Sequence, residues 1–242
     1  MRAQLEICLA SDQGPLAENV QLASGSGVGS IELCASMHEG GLTPSSEAIA
    51  EARRHCVGTT QLMVMIRPRA GGFHYHSDEL QLMMRQMKQA AALGADGVVF
   101  GCLTATGTVD HSAMQQLMDL CQIKRLSSTF HRAFDAGQPA ELMLNELQAY
   151  PLQRILTSGT RWQSDLGIAA GIEQLQRLQQ GAIRPQWIFG GGLTLKRLSE
   201  LQHKLQPTYW HFHSDLLQQH RLLPERLAQA QQLLGYIGDT SV

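Results

Sequence analysis

Short, dense runs of apolar residues alternate with longer stretches of helical spacing along the whole chain. The runs QLEICLA (residues 4 to 10), SIELCA (30 to 35), QLMVMIRP (61 to 68), GVVFGCL (97 to 103), LSSTFHRA (126 to 133), RILTSG (154 to 159), QWIFGGGL (186 to 193) and YWHFHS (209 to 214) read as strands. Between them, SDELQLMMRQMKQAAALG (77 to 94) repeats its apolar positions with a helical period; Ser77 and Glu79 suit its start and Gly94 its end. Segments beginning at Pro139, Thr194 and Pro224 follow the same pattern, and both prolines suit a first helical turn.

A strand about every 30 residues, each followed by a helix, is the sequence form of parallel βαβ units. Eight such pairs in 242 residues match a (β/α)8 TIM barrel, typically about 250 residues long. No linker rich in Pro, Ser or Gly splits the chain, so a single α/β domain over residues 1 to 242 is expected. A doubly wound open sheet is the competing architecture, but it requires a glycine-rich first βα turn where this chain has SDQGPLAEN.

In a barrel, polar side chains at the C-terminal ends of the strands meet at one mouth. The first two strands carry the same acid-then-thiol pair, Glu6 with Cys8 and Glu32 with Cys34, two residues apart and therefore on one face. The third runs into Arg67 and Arg69, and the fifth ends in Thr129, His131, Arg132 and Asp135. The sixth ends in Thr157 and Ser158, the seventh in Gly190 to Gly192, and the eighth in His211, His213 and Ser214. Parallel strands covered on both faces are otherwise apolar. Glu32 is therefore expected inside the barrel, opposite Arg67 or His131. A structural layer of ion pairs is an equally available reading of Glu6, Glu32 and Arg67. Cys56, Cys102 and Cys121 read as small core residues, the methionines at 83, 84 and 87 as core, and His74 and His76 as solvated.

Composition narrows the functional classes. A net charge of -2 with scattered Lys and Arg gives no basic stripe for nucleic acid or anionic lipid. No apolar run approaches membrane-spanning length and the first residues do not read as a secretory leader, so a cytoplasmic location is expected. Five widely spaced cysteines without a C-x-x-C pair argue for free thiols. The expected partners are a metal ion or a small anionic ligand, with homo-oligomerisation left open.

The segments IELCASMHEGGLTPS, MIRPRAGGFHYHSDE, GADGVVFGCLTATGTVD, TFHRAFD, RILTSG and GGGL together resemble the motifs of the CutC family, the copper homeostasis proteins, in order from Leu5 to Leu193. That resemblance implies a TIM barrel, a cytoplasmic location and a Cu(I) site of two cysteines, which match Cys8 and Cys34. Cu(I) is a soft ion that prefers thiolate, and parallel strands about 4.8 Å apart can bring two such side chains together. The chain departs from the family pattern in SGSGVGS before IELC, in R-A-G-G-F where R-G-G-D-F is usual, and after the eighth strand, where HSDLLQQHRLLPERL keeps only His213 and Ser214 as clear equivalents.

Two functions follow. One is copper binding through Cys8 and Cys34, with His213 nearby. The other is an enzyme acting on a small anionic or phosphorylated substrate. In that case Glu6, Glu32, Arg67 and His131 form the catalytic set, and Arg69, Ser158, Gly191 and Gly192 bind the anion.

Overall fold

Eight parallel strands close into a barrel in chain order. They are β1 (Gln4–Ala10), β2 (Ser30–Cys34), β3 (Gln61–Met65), β4 (Gly97–Phe100), β5 (Ser127–Phe130), β6 (Arg154–Thr157), β7 (Gln186–Phe189) and β8 (Tyr209–Phe212). The computed structural model describes residues 2–181 and 185–235. Every expected strand forms, but most stop short of the polar residues at their ends. IRP, GCL, HRA, SG and GGGL lie beyond the strands, in connections to the following helices, with Arg132–Asp135 forming a short 3-10 turn.

The outer ring is α1 (Leu16–Gly25), α2 (Ser46–His55), α3 (Ser77–Ala92), α4 (His111–Lys124), α5 (Ala140–Leu147), α6 (Ile172–Gln180), α7 (Leu195–Leu201) and α8 (Pro224–Leu233). Helix α3 takes His76 as its N-cap, one residue before the expected start, and Glu79 accepts the His76 backbone N–H at 2.8 Å. Pro139 precedes α5 as its N-cap instead of entering the first turn, whereas Pro224 is the first residue of α8.

Alternation along each strand divides the interior. Residues facing the helices, such as Leu5, Ile7 and Leu9 of β1 or Val98 and Phe100 of β4, join one continuous apolar core. Residues facing inward form two small separate apolar clusters. Cys8, Cys34, Met63, Met65 and Val99 lie on one side; Leu156, Ile188 and Tyr209 lie on the other. The polar residues of β1, β2, β6 and β8 lie between them.

The unusual segment after β8 runs from Ser214 to the connection between β1 and α1, where His220 lies against Gly14. It forms a hairpin of β9 (Leu217–Gln218) and β10 (Arg221–Leu222) that packs on α1. Asn19 of α1 donates to the His220 carbonyl at 2.8 Å and accepts the Leu222 N–H at 2.9 Å.

Candidate functional site

Strand register builds the floor of the mouth. Cys8 lies level with Glu32, and Cys34, two residues further along β2, lies level with Ala10. Cys8 and Cys34 are therefore diagonal neighbours, and their Sγ atoms are 3.6 Å apart. The chain then turns through Ser36 in the left-handed region (φ 50°) into a short 3-10 turn, Met37–Glu39. This turn swings the Met37 thioether back over the thiols. Its Sδ lies 3.0 Å from the Cys34 sulfur and 3.9 Å from that of Cys8. Both cysteines are buried, while Met37 is partly exposed.

Below this lies a carboxylate with every oxygen engaged. Glu6 is level with Ser30 on β2 and His211 on β8. Ser30 donates to its Oε2 at 2.7 Å, His211 Nδ1 meets its Oε1 at 2.8 Å, and Arg154 Nη1 approaches at 3.6 Å. Burial works against the Glu6 charge, but the bond and charge of His211 and the charge of Arg154 outweigh it and hold the pKa below the ordinary value. For His211, burial opposes protonation, yet the bond to Glu6 and the charges of Glu32 and Glu6 raise its pKa.

Glu32 stands between these two groups. Its Oε1 is 3.5 Å from the Cys8 thiol, and its Oε2 is buried with no hydrogen-bond partner. Burial dominates and pushes its pKa up to about 7, with His211 opposing and Glu6 reinforcing the shift. Glu32 faces the same cavity as Arg67 and His131, and neither of them bonds to it. The bond to Cys34, then burial, then the charges of Cys34 and Glu32 hold the Cys8 thiol well above its ordinary pKa. Ligand atoms of Cys8, Glu32 and His211 all lie within 4.8 Å of one another.

Above the floor a cavity of about 230 Å³ opens at the mouth. Cys8, Glu32, Arg67, His131, Gly191, Gly192 and His213 line it, and burial lowers the pKa of His213. Cys34 lies behind Cys8, and Glu6 lies beneath the wall. Arg69 and Ser158 do not reach the cavity. The Arg69 guanidinium pairs with Glu79 and stacks 5.1 Å from the Tyr75 ring centre, and Ser158 bonds to Arg132 and Thr160. His211, expected at the mouth without an assigned role, also lines the wall, as do Met37, Phe73 and Trp162, to which the sequence reading gave no role. The C-x-x-M spacing from Cys34 to Met37 and a lone Trp162 in the polar stretch GTRWQSD were the available signals.

The fold and site define a class: a (β/α)8 barrel with a buried cluster of soft sulfur atoms beside an acid–imidazole group at its mouth. A match to the CutC family model spans residues 3–214, and the chain belongs to the CutC family. A CutC family protein from Bacteroides thetaiotaomicron is 40% identical over 209 residues, covering 86% of this chain and 80% of that protein. One from Vibrio cholerae is 38% identical over 202 residues, covering 83% and 75%. The crystal structure of a Streptococcus agalactiae protein bearing the name copper homeostasis protein CutC has a TM-score of 0.76 at 27% identity, covering 90% of this chain and 100% of that one. A 3-hexulose-6-phosphate synthase from Salmonella typhimurium, at 16% identity and TM-score 0.64 over 96% of this chain and 99% of that one, shares the fold alone.

Proposed function

We propose that the chain serves copper homeostasis by holding Cu(I) between Cys8, Cys34 and Met37. One observation carries the reading: these sulfurs lie 3.0 to 3.9 Å apart on the floor of the barrel mouth. A metal–sulfur bond of about 2.3 Å, the length in zinc thiolate sites, puts the corners of a trigonal plane about 4 Å apart. Only small movements are then needed to admit an ion. Two thiols with a thioether form a soft donor set, which favours Cu(I) over harder ions. Burial excludes bulk water, and the partly exposed Met37 gives a delivered ion a first sulfur to meet. Each thiol gives up its proton on binding, and Glu32 is the acceptor nearest to Cys8.

Anaerobic titration of the reduced protein with Cu(I) against a competing chelator tests this. The wild type is expected to bind one ion, and a double Cys8→Ser, Cys34→Ser variant to lose that binding. Equal affinity in the two proteins removes the site.

A further inference from the structure

The cavity holds a second group of polar atoms that the sulfur cluster does not use. Arg67 is 2% exposed, and no carboxylate lies within ion-pair distance of it among the described residues. Its guanidinium donates to the carbonyl oxygens of Glu39 (2.8 Å), Gly41 (3.1 Å) and Gly71 (2.7 Å). Its buried Nε–H has no acceptor. Carbonyl dipoles solvate a buried cation but do not neutralise it.

His131 adds a donor of fixed direction. Its Nδ1 accepts the Ala133 backbone N–H at 3.1 Å, so the neutral ring carries its proton on Nε2. That atom is buried without a partner in a residue that lines the cavity and is 3% exposed. Elsewhere on the wall the charges are matched. Arg132 pairs with Asp135, and Arg154 and His211 together face Glu6 and Glu32. The surplus is therefore one cation. The Phe73 ring lies 5.2 Å from the guanidinium carbon and 4.8 Å from the His131 ring, and Trp162 lies 5.4 Å beyond it, giving an apolar wall beside the donors.

We propose that the cavity binds a small organic monoanion, a carboxylate with a hydroxyl on the neighbouring carbon. The carboxylate would meet Arg67 and the Nε2–H of His131, the carbon skeleton would lie on Phe73 and Trp162, and the hydroxyl would donate to the free Oε2 of Glu32. One uncompensated cation matches one negative charge, whereas a phosphate monoester carries about -1.5 to -2 at neutral pH. At about 230 Å³ the cavity is below the range of drug-sized pockets, about 300 to 1,000 Å³, and suits a ligand of a few carbons.

Ligand-observed NMR titration of the copper-free, reduced protein with L-lactate, propionate and inorganic phosphate tests the proposal. Its outcome is independent of the metal site. Saturable binding is expected in the order lactate, propionate, phosphate. His131→Asn should weaken lactate about tenfold. Asparagine is a good N-cap and can still accept the Ala133 N–H, so the 3-10 turn stays in place, but it is too short to reach the cavity. Arg67→Met should abolish binding, and His131→Asn carries the test if that variant does not fold. Lack of saturation by lactate, tighter binding of phosphate, equal binding of lactate and propionate, or lactate affinity unchanged in His131→Asn would each overturn the assignment.

Discussion

Glu32 and His131 line one cavity but are shifted in opposite senses, and the pair gives a test of burial at single residues. Burial, helped by the charge of Arg67, lowers the His131 pKa from 6.5 to about 3. Burial likewise dominates at Glu32 and raises its pKa from 4.5 to about 7. Between pH 4.5 and 6.5 the unfolded chain holds a proton on His131 that the native state lacks, so this residue makes stability rise with pH. Over the same window the native state holds a proton on Glu32 that the unfolded chain lacks, so stability falls with pH. Each slope is at most about 1.4 kcal/mol per pH unit, and the two nearly cancel. Urea unfolding at pH 5 and pH 6 should therefore change His131→Asn and Glu32→Gln in opposite directions relative to wild type. His131→Asn should become less stable on going to pH 6, and Glu32→Gln more stable. Parallel slopes in the two variants would contradict the assigned protonation states.

At the level of elements, the loop between β2 and α2 is the structural link between the thiols and the cavity. Ser36, Gly40 and Gly41 all have positive φ there, at 50°, 85° and 84°. Arg67, reaching across from beyond β3, ties the carbonyls of Glu39 and Gly41 and so holds Met37 over the cysteines. A side chain at Gly40 would also come within 3.0 Å of Trp162. Substituting Met37 by Leu conserves volume and is expected to cost less than about 1.5 kcal/mol of stability. It should nevertheless reduce the sulfur coordination of bound Cu(I), measured by X-ray absorption, from three atoms to two, and weaken Cu(I) about tenfold. An unchanged sulfur count would leave Met37 as packing alone. Motif matching located the loop, but only the left-handed turn at Ser36 sets the direction of its methionine.

For the whole molecule, a metal site closing β1, β2 and their loop should report on the entire barrel. Strand β1 pairs with both β2 and β8, so it seals the cylinder. A ligand at a thousand times its Kd stabilises the native state by about 4.1 kcal/mol. For a chain of 150–250 residues about 1 kcal/mol shifts Tm by about 2–4 °C. Cu(I) under reducing conditions should accordingly raise Tm by roughly 10 °C in wild type and leave the Cys8→Ser, Cys34→Ser variant unmoved, as read by scanning calorimetry. An equal rise in both proteins would place the ion elsewhere.

Hydrophobic periodicity was sufficient for the architecture, because a parallel strand buried on both faces and an amphipathic helix leave different repeats in the chain. The repeated Glu-x-Cys pairs likewise marked polar residues inside the barrel, since alternation along a strand is local. Roles within the lumen were not local. Glu6 and Glu32 occupy matching places in matching motifs, yet one is surrounded by His211, Arg154 and Ser30 and stays charged, while the other has a single thiol and a raised pKa. Arg67 and Arg69 are two residues apart, yet one lines the cavity without a carboxylate and the other pairs with Glu79 outside it. These differences arise from barrel closure, which brings β8 beside β1 and the distant loop of Trp162 over β3 and β5. Burial and partnership depend on that proximity in space, which no spacing along the chain records.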